Sequence, residues 1–206
     1  MPSSAVRNQI TDHLLTPKNA ALVVIDYQPV QVKSVKSMPQ DTLVANVARL
    51  VETAVLFQLP VVLSTVNVST GKNEPTIPEL RKLLPGVPEI DRTSINAWED
   101  EGFLRAVIGT QRKKLLMAAL WTEACLAFPT LDALREGFDM YPVCDAVGGT
   151  SPEAHELAIE RMMQAGARPV GWVQVACELQ RDWSRAATAQ KFADILFGPV
   201  PATAAR

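Results

Sequence analysis

Short apolar runs alternating with stretches of helical spacing set the tightest limit on how this chain folds. ALVVIDY (21–27), PVVLSTV (60–66), KLLMAAL (114–120), DMYPVCDA (139–146) and PVGWVQVA (169–176) have the length and continuity of strands buried on both faces. Between the first two, Leu43, Val44, Val47, Leu50, Val51, Ala54 and Val55 recur at helical intervals, predicting a helix over 41–57 with Asp41 as its cap. Further helices are predicted over 97–108, 123–136 and 178–196. SPEAHELAIERMMQAG (151–166) carries the clearest start signal, Ser151 as cap and Pro152 in the first turn. The segment 67–88 is rich in Pro, Gly, Asn and Thr and reads as a surface excursion with one short helix at 78–84. Such alternation makes a parallel sheet with helices on both faces, and ligands of such folds sit beyond the carboxyl ends of the strands.

At 206 residues the chain suits a single domain, 1–206, with peripheral tails at 1–18 and 197–206. A formal charge of -2, with acids and bases interspersed, offers no basic field for nucleic acid. No run approaches the roughly 20 apolar residues of a membrane-spanning helix. The opening MPSSAVRNQITDHLLTPKNA lacks the apolar core of a signal peptide, so the expectation is a cytoplasmic protein with a small-molecule partner. The three cysteines, Cys125, Cys144 and Cys177, and the two histidines, His13 and His155, have no zinc-like spacing. Neither a metal nor another cofactor is expected.

The fold supplies a filter, because polar residues at strand carboxyl ends converge on one crevice. Asp26, Cys125, Asp145 and Cys177 pass it. Singly, each has a plain structural reading: an acid at a strand end often caps or pairs, and a buried cysteine behaves as a small hydrophobe. If Thr122 or Glu123 opens the helix after KLLMAAL, Cys125 lies in its first turn, where the dipole and free N–H groups favour thiolate. Cys177 is expected in a similar setting at the start of the last helix, whereas Cys144 reads as core. With His13 ahead of the first strand and His155 between Ala154 and Glu156, both histidines read as surface residues. An acid must then serve as the base, and Asp26 is the candidate.

VVIDYQ, DRTSINAWEDEGF, TEACLAFPTLDALREGFDMYPVCDA and VACELQRDW together resemble the isochorismatase-like family of cysteine hydrolases, and within it the YcaC-related group of bacterial hydrolases. The likeness runs from about residue 21 to 183. It implies a three-layer α/β/α, Rossmann-like fold with a mainly parallel sheet of roughly six strands. It also implies an Asp–Lys–Cys constellation, carried here by Asp26 and Cys125, with Arg92 at the position of the family lysine. Arginine stays charged and cannot relay a proton, so its implied role is electrostatic; the structural alternative is a surface arginine paired with Asp91 or Glu89. The family's non-proline cis peptide maps to Leu120–Trp121, with the N–H groups of Trp121 and Cys125 as an oxyanion hole. Nicotinamidases of the family hold a metal through histidines near the first strand, and DYQPVQVKSVKS and STVNVSTGKNEP contain none.

The implied activity is hydrolysis of an amide-type C–N bond through a thioester. Isochorismate itself is disfavoured, because the family's vinyl-ether hydrolases dispense with the cysteine. Trp98, Phe128, Trp121 and Ile95 are candidate apolar walls of a substrate pocket, with Gln28, Asn96 and Thr122 as polar anchors. Two other classes stay open: a catalytically idle binding or scaffold protein, and a redox sensor in which Cys177 or Cys144 resolves an oxidised Cys125. The resemblance also implies a homo-oligomer, a tetramer or an octamer, with the apolar terminal segments as material for contacts.

Overall fold

The structure, a computed structural model, describes residues 7–199. Five parallel strands form the sheet: β1 (Ala20–Ile25), β2 (Val61–Val66), β3 (Glu89–Arg92), β4 (Lys114–Ala119) and β5 (Asp139–Pro142), in the order β3-β2-β1-β4-β5. Every residue of β1 and β4 is buried, which is why these strands read as unbroken apolar runs. The helices are α1 (Pro29–Ser34), α2 (Gln40–Leu56), α3 (Pro78–Arg81), α4 (Glu101–Gly109), α5 (Ala127–Arg135), α6 (Pro152–Gln164), α7 (Trp172–Gln180) and α8 (Ala186–Phe197). The chain moves outward from β1 through β2 to β3, then returns to β4 on the other side of β1. Right-handed crossovers therefore place α2 on one face and α4 and α5 on the other. α7 and α8 pack with α2, whereas α6 packs with α5. The order reverses between β1 and β4, and their carboxyl ends open the crevice where ligands of such sheets bind.

Several boundaries differ from the sequence reading, each for a local reason. PVGWVQVA contributes one bridge, Val170 to Val143, and then turns helical, so the sheet has five strands rather than six. Trp172, Val175, Ala176 and Leu179 are buried at helical spacing, and the Asp145 carboxylate, from across the chain, accepts the Trp172 N–H at 2.9 Å. A short apolar run fits either period, and a cap supplied by a distant residue leaves no local trace. The predicted helix 178–196 is two helices, because Arg181 adopts φ +61° and ends α7. β3 carries no apolar strand signal, because EIDR is charged and three of its four residues are only partly buried, as suits an edge strand. Asp41 sits inside the first turn of α2 behind Pro39 rather than capping it. The helix expected over 97–108 begins as a separate turn at Ala97–Glu99, and Asp100 then caps α4 by accepting from Phe103 N at 2.8 Å. Ser151 caps α6 as expected, accepting from Ala154 N at 3.1 Å.

Of the tails assigned to 1–18 and 197–206, residues 1–6 and 200–206 lie outside the described residues. The described part of the first runs along the sheet's amino-terminal edge and is firmly held. Leu15 is fully buried, and the buried Lys114 ammonium donates to the carbonyls of Asp12 (2.7 Å), His13 (2.6 Å) and Leu14 (3.0 Å). Burial lowers the Lys114 pKa, against the pull of Asp139 and Asp12. Lys114→Met keeps the aliphatic bulk but removes all three donated bonds. It is expected to cost about 2–4 kcal/mol, since charge-assisted bonds in buried surroundings are worth that order. The check is a lower urea midpoint at unchanged slope; an unaltered midpoint would mean that this cation does not anchor the segment.

Candidate active site

Asp26 is the residue after β1 and sits at the reversal of strand order. Its φ of +62° is a left-handed conformation that aspartate tolerates better than bulky residues. There its N–H still bonds Ser64 O at 2.9 Å while its carboxylate turns into the crevice. That carboxylate meets Arg92, the last residue of β3, in a two-pronged pair: Nη1 to Oδ1 at 2.7 Å and Nη2 to Oδ2 at 2.8 Å. Both side chains are completely buried. Arg92 also donates to Thr65 O (2.9 Å) and Ile95 O (3.4 Å). Burial opposes the guanidinium's charge, but the hydrogen bonds and charge of Asp26 outweigh it and raise the Arg92 pKa. The alternative of a surface pair fails. Asp91 instead accepts from Val68 N (3.0 Å) and Ser69 N (2.8 Å), and Glu89 lies by Arg81 at 3.7 Å.

Cys125 arrives from the neighbouring strand β4. After it the chain forms a π-helical turn, Thr122–Leu126, closed by Leu126 N to Trp121 O at 3.2 Å, and α5 follows directly. Such turns recur at functional sites. The peptide between Leu120 and Trp121 is cis. The thiol is 9 % exposed, within hydrogen-bonding reach of the Asp26 carboxylate and of the Trp121 N–H.

One expectation is overturned here. Placement in the first turn beside a cation should favour thiolate, yet the Cys125 thiol is pushed up to about 12. Burial is the largest cause, followed by the charge of Asp26 and the hydrogen bond to it; Arg92 and the Trp121 N–H act in the other direction and are outweighed. Arg92 pairs its charge with Asp26, so little of it reaches the buried thiol.

The remaining candidates divide. Gln28 is fully buried and committed to the backbone, with Nε2 donating to Val66 O (3.1 Å) and Glu74 O (2.6 Å) and Oε1 accepting from Val66 N (2.9 Å). Asn96 caps the Ala97–Glu99 turn and donates to Asp132 at 2.7 Å. Trp98 is 6 % exposed, donates to Glu136 at 2.9 Å and packs edge-on against Phe103 and Phe138. Thr122 is fully buried, and its hydroxyl lies 2.9 Å from His155 Nδ1. These four hold the frame, and their polar groups are spent within it. Phe128 (36 % exposed) and Ile95 (65 % exposed) keep free surface, and Trp121 is half-buried with its ring N–H donating to Ser34 Oγ at 2.7 Å.

Cys177 is exposed in the interior of α7, not at a helix start, and Cys144 is half-buried in the turn Cys144–Ala146, not in a strand. Asp145 serves α7, and burial raises its pKa. All three cysteines are free. His155 also departs from its surface reading, being half-buried against Thr122. Its neighbours Ala154 and Glu156 in sequence conceal that contact, which lies 33 residues away along the chain. Among the described residues no cluster of three or more His, Cys, Asp and Glu side chains is placed to hold a metal ion, and no helix is long and apolar enough to cross a membrane.

Comparison with protein families matches residues 20–174, the stretch containing Asp26, Arg92 and Cys125, to the isochorismatase domain. The chain belongs to the isochorismatase family. It is an isochorismatase-family hydrolase whose substrate the comparisons leave open. It is 41 % identical over 170 residues to the probable hydrolase YcaC of Escherichia coli (strain K12), covering 82 % of this chain and 81 % of that protein. Among solved structures, YcaC from Pseudomonas aeruginosa with hexane-2,5-diol and covalent acrylamide superimposes with a TM-score of 0.86 at 40 % identity, covering 93 % of this chain and 94 % of that one. The crystal structure of E. coli YcaC, described as an octameric hydrolase of unknown specificity, gives 0.84 at 38 % identity, covering 90 % and 92 %. The five-stranded parallel sheet between helical layers is thus the isochorismatase-family fold.

Proposed function

We propose that this hydrolase cleaves the C–N bond of a small amide-type substrate through a thioester on Cys125. The observation that carries the reading is a single buried carboxylate, Asp26, which pairs through both oxygens with a guanidinium that cannot lose its proton and lies within reach of the Cys125 thiol, whose ionisation it opposes. Because the thiol is held neutral, attack and proton transfer go together. Sγ bonds to the substrate carbonyl carbon as its proton passes to Asp26, and the carbonyl pair moves onto oxygen, which the N–H groups of Trp121 and Cys125 receive. The oxyanion collapses, the C–N bond breaks and Asp26 hands the proton to the leaving amine. Water then attacks the thioester, giving one proton to Asp26 and on to Sγ as the acid departs. Arg92 remains charged throughout and steadies the carboxylate between its protonation states. Preorganised N–H donors of this kind typically lower a barrier by about 3–4 kcal/mol.

Two properties of relatives support this reading. The P. aeruginosa YcaC carries covalent acrylamide, an electrophile toward which cysteine thiolates are the common protein nucleophiles. E. coli YcaC is octameric, which favours a homo-oligomer here as well. Phe128, Ile95 and the ring of Trp121 offer the free apolar surface beside which a small acyl group would lie.

A panel of small amides, carbamates and nicotinamide-type compounds, acid-quenched within one turnover and read by peptide mass, is expected to show an acyl adduct on Cys125 with at least one member. The neutral resting thiol favours one second reading, binding without turnover. Saturable binding with no adduct and no released amine would select it.

A further inference from the structure

The turn that carries the nucleophile is gripped from behind. Thr122 opens it three residues before Cys125; its N–H bonds Gly148 O at 3.0 Å, and its hydroxyl lies 2.9 Å from His155 Nδ1. Glu123 accepts from Thr150 N (3.0 Å) and Thr150 Oγ1 (2.6 Å). Gly149 is wedged between turn and helix: a Cβ there would lie 2.7 Å from Glu123 Oε2 and 3.1 Å from both the backbone N and the Cβ of His155. The same glycine is tied to the α1–α2 connection, donating to Ser37 Oγ at 2.9 Å and accepting from Lys36 N at 3.0 Å. Within this clamp, the Thr122–His155 contact is the side-chain bond that joins the nucleophile's turn directly to α6.

We propose that His155 is a positioning residue: by holding Thr122 it fixes the π turn so that the Cys125 thiol is kept buried against Asp26. Its own charge state suits the task. Burial lowers the His155 pKa below that of a free histidine, against the pull of Glu123 in the turn and Glu156 on its own helix, so the ring is neutral near pH 7 and one ring nitrogen can accept. Displacement of a reacting atom by about 1 Å is enough to cost two orders of magnitude in rate. In this site, loosening the turn also releases the thiol from the burial and the carboxylate that suppress its ionisation.

The consequence for turnover rests on the function proposed above, but the effect on the thiol is measurable without a substrate. The experiment is iodoacetamide alkylation of the full-length protein from about pH 6 to 11, with Cys125 resolved from Cys144 and the exposed Cys177 by peptide mass. In the wild type the Cys125 rate is expected to climb about tenfold per pH unit with no plateau, because only thiolate reacts. His155→Phe and Thr122→Val should each bring the midpoint down by at least about one unit, toward the ordinary cysteine value of about 8.5. The double variant should add nothing, since both delete one contact. His155→Gln, which restores an acceptor, should return the profile toward wild type. Single-variant profiles that superimpose on wild type would overturn the proposal, and so would a shift in His155→Phe that Thr122→Val lacks. If His155→Phe fails to fold, Thr122→Val decides alone. An absence of turnover across the substrate panel would sink the hydrolytic reading while leaving this profile standing.

Discussion

Cys125→Ala is expected to lower turnover of any substrate by about 10⁴-fold or more, because the proposed mechanism divides the reaction into two steps through a bond to its sulfur. The fold should survive. The side chain lost is small, and Asp26 keeps both hydrogen bonds to Arg92 when the thiol is gone. Substrate binding should change little, so the loss falls on kcat rather than KM. Steady-state kinetics together with a thermal melt measure both parts. Full turnover in a variant that contains no sulfur at this position would remove the thioester from the mechanism.

Asp26→Asn is expected to move two observables in opposite directions. Turnover should fall by about 10²- to 10⁴-fold, since the amide cannot take the thiol proton. The thiol itself should become easier to ionise. Burial still raises its pKa, but the charge of Asp26 and the bond that holds the proton on sulfur are removed, while Arg92 continues to favour thiolate. The alkylation midpoint of Cys125 therefore drops below about 12 as catalysis is lost. The substitution also leaves a buried guanidinium without its counter-charge, at a cost of about 3–5 kcal/mol. Asp26→Asn combined with Arg92→Met should recover most of that stability without recovering turnover, which separates the structural ion pair from the catalytic base. A variant that is stable and fully active would exclude Asp26 as the base; an alkylation midpoint that stays or rises would show that the carboxylate does not hold the thiol neutral.

The site was legible where it follows from strands and not where it follows from packing. Asp26 directly follows one strand buried on both faces and Cys125 lies in the turn after another, and a parallel sheet gathers such ends along one edge. Arg92 could be mapped only through the family resemblance, since its strand is charged, short and at the sheet's edge. Gln28, Asn96, Trp98 and Thr122, expected to contact substrate, have polar groups bonded within the protein. Whether a polar atom faces a ligand or a neighbouring carbonyl is decided by segments as far off as Glu74, Asp132, Glu136 and His155.

Sequence by itself determined the runs that become β1, β2, β4 and β5 and the cap of α6, because hydropathy period and capping act over a few neighbouring positions. Tertiary structure alone decided that Arg92 closes on Asp26 across 66 residues, that α7 is a helix capped by Asp145, that His155 meets Thr122, and that burial and Asp26 push the Cys125 thiol's pKa up. Charge interaction and desolvation depend on distance in space and on the depth of the surrounding protein, and neither quantity is defined until distant parts of the chain have packed together.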